Sequence, residues 1–451
     1  MKVITIETPS LGDRSYIVHD GSVGLVVDPQ RDVERVISHA DDAGIRITHV
    51  AETHVHNDYV SGGLTLALVT GSDYLHAAAE PLRFDHVPVG DGDVVEVGSL
   101  RIEVRHTPGH TPHHLSYVVT GPDSSPVAFT GGSMLYGTVG RTDLIDPAAT
   151  DELGRAQYRS VRALAEELPD DTMIYPTHGF GSFCASAASD MASDGTLGTE
   201  RRANIALTTT DEDEFVRRLV DGLDAYPRYY AQMGPINTAG ATAVDLSPVA
   251  DVDPAELARR IHRGEWVVDL RPRREFAADH VSGTIGIELA AGFSTYLGWL
   301  VPWGMPVTLL ADDREAIHEA QTQLARIGID RPTGASDRGI DGWAPTVDRR
   351  TYPVMTFADL ASVDDPLVLD TRRDGEYADS HVEGSMHIPL HELLARVDEV
   401  PDGDERTVHV HCQSGYRASI AASLLDRAGR DVVLIDDSFD AAATHGLPMA
   451  D

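Results

Sequence analysis

The second half of this chain writes one pattern twice. Asp269-Leu270-Arg271, Glu275-Phe276, His280-Val281 and Gly283 return as Asp370-Thr371-Arg372, Glu376-Tyr377, His381-Val382 and Gly384, each landmark displaced by 101 residues. In both copies a β-branched strand ends in Asp-x-Arg, a helical segment follows, and a His-Val-x-Gly turn closes the pattern. Strands alternating with helices pack as α/β layers. A conserved register over this length leaves one arrangement open: two versions of a single domain, at 251–347 and 355–451.

The copies share a frame but not a chemistry. In the second, the strand Val408-His409-Val410-His411 runs into Cys412-Gln413-Ser414-Gly415-Tyr416-Arg417, and Ala418 to Leu425 continues as a helix. A cysteine ahead of a helix N-terminus meets inward backbone N–H groups and the positive end of the dipole, which lower a thiol pKa and stabilise a thiolate or persulfide. Gly415 permits a tight loop and Arg417 closes it with fixed positive charge. The small ring from Cys412 to Arg417 suits a sulfur atom better than a larger oxyanion. The same displacement puts Ala311 opposite Cys412 and Ala316 opposite Arg417, so the first copy has neither nucleophile nor clamp. It is expected to be a structural or docking domain, with Trp299 and Trp303 serving either a contact between domains or the core.

The first half delivers histidines at strand ends. The strand Ile45–Val50 leads into Glu52-Thr53-His54-Val55-His56-Asn57-Asp58-Tyr59, and a strand over 100–106 leads into Thr107-Pro108-Gly109-His110-Thr111. Val127–Thr130 leads to Gly131-Gly132, and Met173–Tyr175 to Pro176-Thr177-His178-Gly179. Residues at alternate positions past a strand face one side, and imidazole and carboxylate are what Zn²⁺ or Fe²⁺ take from a protein. Several such ends, each beside a Gly or Pro turn, point to one convergent metal site fed by His54, His56, Asp58, His110 and His178.

Composition narrows the partners. At 451 residues about three domains are expected. A net charge of −36 excludes nucleic acid and anionic membrane surfaces as partners. Lys2 is the only lysine, which excludes a Schiff-base lysine deeper in the chain. Cys184 and Cys412 are too few for a disulfide framework and suit a reducing compartment. The N-terminus carries no signal-peptide h-region, and the apolar stretch 285–311 is broken by Glu288, Pro302 and Pro306. A cytoplasmic homo-oligomer is expected.

The histidine motifs resemble those of the metallo-β-lactamase fold. Gly137-Thr138-Val139-Gly140-Arg141-Thr142-Asp143-Leu144 and Thr196-Leu197-Gly198-Thr199-Glu200-Arg201-Arg202-Ala203-Asn204 resemble the persulfide dioxygenase branch of that superfamily, over residues 1–245. The repeat in the second half resembles rhodanese domains. The resemblance implies an α/β protein: a metallo-β-lactamase αββα sandwich followed by two rhodanese-like α/β domains, the first inactive. It implies sulfane-sulfur metabolism, in which a low-molecular-weight thiol persulfide is oxidised to sulfite at one Fe(II), or Zn(II), per chain. Cys412 would then exchange sulfur with sulfite or thiosulfate, and Arg201 and Arg202 could clamp substrate carboxylates. Cys184 is either a buried apolar side chain or a sulfur-handling thiol near the metal. Two positions depart from the family's pattern: Tyr59 stands where a histidine is usual, and Gly132 where the iron-binding aspartate is usual. The resemblance then implies a one-metal site on His54, His110 and either His56 or water, with Asp58 and His178 as outer-sphere or alternative ligands. Alternatives are a sulfurtransferase with a degenerate first domain, a Zn-dependent thioester hydrolase resembling glyoxalase II, and a non-enzymatic persulfide carrier.

Overall fold

The computed structural model describes residues 1–122, 124–186, 195–343, 348–402 and 406–450. The chain divides into two compact units, one of 1–245 with 324–328 and one of 246–323 with 329–451.

In the first unit, six strands form one sheet in chain order: β1 (Lys2–Thr8), β2 (Asp13–His19), β3 (Val23–Val27), β4 (Arg46–Ala51), β5 (Asp73–Ala77) and β6 (Val87–Val89). Six more form the second sheet: β7 (Val94–Val97), β8 (Leu100–His106), β9 (Leu115–Thr120), β10 (Val127–Gly131), β11 (Met173–Pro176) and β12 (Gly195–Thr196). The period of two along each strand sorts side chains between layers. Tyr16 and Val18 of β2 join Ile102, Val104, Tyr117 and Phe129 in the core between the sheets. Ile17 of β2 instead packs on the outer face with α1 (Val33–Asp42) and α2 (Gly63–Thr70). Val118 and Ala128 face outward against α3 (Thr150–Glu167). The result is the expected αββα sandwich.

In the second unit, the strands Ile285–Gly286, Trp266–Asp269, Val307–Leu310 and Gly334–Ser336 form a parallel sheet in that order. A five-stranded parallel sheet follows, in the order Val354–Met355, Val432–Ile435, Val408–His411, Leu367–Asp370, Met386–His387. The sequence repeat has a structural counterpart. Arg271 turns back on Asp269 through Nε and Nη2, and Arg372 repeats the same bonds on Asp370. His280 Nδ1 meets the Phe276 carbonyl at 2.9 Å, and His381 Nδ1 meets that of Tyr377 at 3.0 Å. Among the described residues no helix is long and apolar enough to cross a membrane.

Candidate metal centre and cysteine loop

The ends of β4 and β11 and the loop after β8 bring their side chains to one buried place, beside the glycines that end β10. Ligand atoms of His54, His110 and His178 all lie within 4.8 Å of one another, as do those of His56, Asp58 and His178, and those of Asp28, Glu52 and His56. Among the described residues the all-imidazole set joins His178 to His54 and His110, and His56 falls in the two sets that include carboxylates.

Each imidazole has a defined role. His110 Nδ1 lies 2.7 Å from the Arg141 carbonyl, which only accepts, so Nδ1 carries the proton and Nε2 an open lone pair. That Nε2 is buried with no hydrogen-bond partner. Burial pushes the His110 pKa down to about 3, so the ring is neutral at pH 7. His54 Nε2 faces His178 Nε2 at 3.3 Å, a pair of nitrogens that needs a proton or a cation between them. Burial and the surrounding imidazoles hold His54 well below the usual histidine pKa. Burial also works against charging His178, but Asp58 and Asp13 outweigh it and hold its pKa well above the usual range. Their oxygens stand 3.1 and 2.9 Å from His178 Nδ1.

His56 turns its Nε2 away, toward Glu52 Oε2 at 3.0 Å, Tyr59 Oη at 3.0 Å and Asp28 Oδ1 at 3.3 Å. Its Nδ1 is buried and unpartnered, as is Asp58 Oδ1. Tyr59 stacks on the His56 ring at 4.3 Å, so the departure from histidine supplies a hydroxyl and a flat apolar wall. Burial would raise the Asp28 pKa, yet His56, Thr177 and the Thr53 N–H hold it below the carboxylate range. The Thr53 N–H donates to Asp28 Oδ1 at 2.7 Å, and Thr177 Oγ1 donates to Oδ2. Asp28 itself adopts φ 51°.

Gly132 has a steric explanation. A Cβ there would overlap the His110 ring, and one at Gly140 would crowd the same ring at Nδ1 and Cγ. The His110 imidazole occupies the space a side chain at 132 would need.

Cys184 is fully buried, its backbone N–H directed at Ser182 Oγ at 3.2 Å, and Ser182 Oγ reaches Asp58 Oδ2 at 3.3 Å. Burial pushes its thiol pKa well up, with the Asp58 and Asp13 charges adding to the effect. Arg201 and Arg202 are exposed, and Arg201 pairs with Asp170 at 2.7 Å. His114, Asp13 and Asp28 belong to the centre but were not singled out by any spacing. His114 Nε2 accepts from the Gly132 N–H at 3.0 Å, and its ring stacks on His54 at 4.9 Å. The Thr107-to-Leu115 loop held two further histidines, His113 and His114, as the only signal.

In the second unit, Cys412 is buried between the strand Val408–His411 and the helix Tyr416–Arg427. Gly415 opens that helix at φ 85°, a left-handed geometry that favours glycine. Gln413 and Ser414 complete the turn, and the Gln413 carbonyl accepts from the Phe439 N–H at 2.9 Å. Arg417 is bound at both ends of its fork by Glu376, at 2.5 and 2.7 Å. Its orientation is thereby set by a residue from the repeat's helical landmark. A pocket beside the loop is lined by Tyr296 and Trp299 of the Cys-less copy with Thr371, Arg373, His391 and Arg417 of the other. Trp299 stacks on His391 of the other copy at 5.0 Å, while Trp303 is exposed.

Human persulfide dioxygenase ETHE1, mitochondrial, is 30% identical over 213 residues, which span 46% of this chain and 73% of the human protein. The chain belongs to the persulfide dioxygenase family. Hydroxyacylglutathione hydrolase of Maricaulis maris (strain MCS10) is 31% identical over 178 residues, covering 38% of this chain and 64% of that protein. A model described as a rhodanese-like domain matches residues 356–445. The crystal structure of a metallo-beta-lactamase from Staphylococcus aureus subsp. aureus COL superposes with a TM-score of 0.66 at 26% identity, over 74% of this chain and 98% of that one. That share exceeds the first unit alone. A persulfide dioxygenase-family domain joined to a rhodanese-like domain makes this an enzyme of sulfur metabolism.

Proposed function

We propose that the N-terminal domain, 1–245, oxidises a small thiol persulfide to sulfite and thiol, consuming dioxygen and water, and that Cys412 moves sulfane sulfur in the domain at 355–451. The observation that carries the first half is the open lone pair of His110 Nε2, buried without a partner beside two further imidazoles. Such an atom is costly unless something binds it, and a neutral imidazole with an open position suits a cation. His54, His110 and His178 would hold one Fe(II), with His56 Nδ1 and Asp58 Oδ1 in reserve as the other unpartnered donors. The ion would supply the redox chemistry with dioxygen.

The chain's own residues do the rest. Arg141 keeps His110 in the tautomer with Nε2 free, and Asp13 and Asp58 orient His178. Tyr59 and Glu52 fix His56, while the sandwich around them excludes water. At the other end, the Cys412 thiolate attacks the outer sulfur of thiosulfate. The S–S bond breaks, sulfite leaves with its electron pair, and Cys412 keeps the sulfur as a persulfide until an acceptor thiolate takes it. Glu376 sets Arg417 at the loop, and the Cys-less domain at 251–347 lends the pocket wall.

Iron content of freshly purified protein, measured beside oxygen uptake with a thiol persulfide, tests the first half. Both should be present in the wild type and fall together in His110→Ala. A second reading, Zn-dependent thioester hydrolysis, draws support from the likeness to hydroxyacylglutathione hydrolase. Hydrolysis of an acylated thiol with no oxygen uptake would favour it. Metal-free protein with sulfur transfer intact would instead leave a sulfurtransferase on a degenerate scaffold, and stoichiometric thiol labelling without turnover a carrier.

A further inference from the structure

The Cys-less copy grips the Cys412 loop at two adjacent residues. Gly415 lies so close to Asp436 that a Cβ on it would overlap Asp436 Oδ1. The Asp436 side chain is only 4% exposed, and arginines of the Cys-less copy hold both its oxygens. Arg273 Nε donates to Oδ1 at 2.8 Å, and Arg274 Nε to Oδ2 at 2.5 Å. Next in the loop, the Tyr416 hydroxyl donates to the Glu288 carbonyl at 2.7 Å. Arg273 reaches this anchor too, donating through Nη1 to the Glu288 carboxylate at 2.6 Å. One guanidinium thus ties the support of Gly415 to the support of Tyr416.

The arrangement runs in one direction only. At the displacement of 101 residues, Arg273 and Arg274 correspond to Asp374 and Gly375, and Glu288 to Pro389, while the strand registers set Asp337, paired with Arg314 of its own copy at 3.1 Å, opposite Asp436. The Cys-bearing copy therefore lacks the arginines that would reach across, and the carboxylate of the Cys-less copy is held from within its own copy. The charges are placed as they would be if one copy had become the support of the other's loop.

We propose that Arg273 is a positioning residue for sulfur transfer: by pairing with Asp436 and Glu288 together it holds Gly415 and Tyr416, and through them the cradle around Cys412. The proposal rests on the reading of Cys412 as the sulfur-carrying nucleophile. An exposed ion pair contributes little, but Asp436 is buried, and a buried carboxylate that loses its partner must move or draw in water. Either response displaces a loop whose backbone N–H groups must stay aimed at one sulfur atom, and misplacement by about 1 Å can cost on the order of 100-fold in rate.

The test is thiosulfate-to-thiol sulfur transfer by the full chain, comparing wild type, Cys412→Ser, Arg273→Met, Arg273→Lys and Asp436→Asn, with thermal unfolding recorded for each. Arg273→Met should lower kcat about tenfold with KM for thiosulfate changed less than about twofold. Arg273→Lys, which keeps the charge, should regain about threefold or more. If Arg273→Met does not fold, Asp436→Asn carries the same expectation of a kcat loss. Wild-type kcat in Arg273→Met, or a loss that appears in KM alone, overturns the proposal. So does a kcat loss that Lys does not recover and that follows the unfolding midpoint. Transfer that persists in Cys412→Ser, or is absent from the wild type, removes the reading of Cys412 and this proposal with it.

Discussion

Restoring the family's aspartate at position 132 should weaken this metal centre instead of repairing it. The His110 ring lies across the face of Gly132, where a Cβ would overlap Cδ2 and crowd Cγ and Nε2. Ordinary contact requires more than 3 Å, so the ring must retreat by about an ångström. Overpacking of this kind costs about 1–3 kcal/mol. The retreat also breaks the bond from Nδ1 to the Arg141 carbonyl that holds Nε2 in its tautomer. Metal–ligand distances tolerate roughly 0.2 Å. Loss of outer-sphere support alone costs about 10–100-fold in metal affinity. Gly132→Asp should therefore bind Fe(II) at least about tenfold more weakly than wild type, and Gly132→Ala, which adds bulk without charge, should shift the same way. Competition against a calibrated chelator under anaerobic conditions measures this. Tighter binding in Gly132→Asp, with Gly132→Ala unchanged, would refute the steric argument and show that the lost carboxylate limits the site.

The pairing of Glu376 with Arg417 should appear in acid. Burial opposes it, but Arg417 lowers the Glu376 pKa to about 2 from 4.5, so its stabilisation is full above 4.5 and is lost as pH falls toward 2. Glu376→Gln should melt lower than wild type at pH 7, and the gap should close across that window in thermal scans. Cys184, buried and with its pKa held up by burial and nearby carboxylates, should stay unmodified by iodoacetamide at pH 8 in the native protein and react once it is unfolded, as peptide mass spectrometry will read. A net charge of −36 repels itself across the folded surface. Raising KCl from about 0.1 to 1 M shortens the screening length from about 10 to 3 Å and should raise the melting temperature; an unchanged or lower value would show that the charges are already balanced locally.

Local chemistry was enough to place the strands, the histidine loops and the cysteine cradle, because a period of two, a Pro-Gly turn or a strand-loop-helix junction is written in adjacent residues. The 101-residue displacement likewise exposed the missing nucleophile at Ala311 without any coordinates. What adjacency does not encode is which nitrogen faces which neighbour. Folding brought His178 to within 3.3 Å of His54, 124 residues away, and turned the His56 Nε2 toward Asp28 and Glu52. Asp13, Asp28 and His114 became part of the centre only when separate strand ends met. Arg417 reads in sequence as a clamp on the loop, yet both arms of its fork are taken by Glu376, 41 residues earlier. Gly132 looked like a loss until the His110 ring was seen to fill its place. Residue types and their local spacing follow from chain order, whereas ligand orientation, tautomer and charge pairing depend on groups brought together from far along the chain, and only the packed structure decides those.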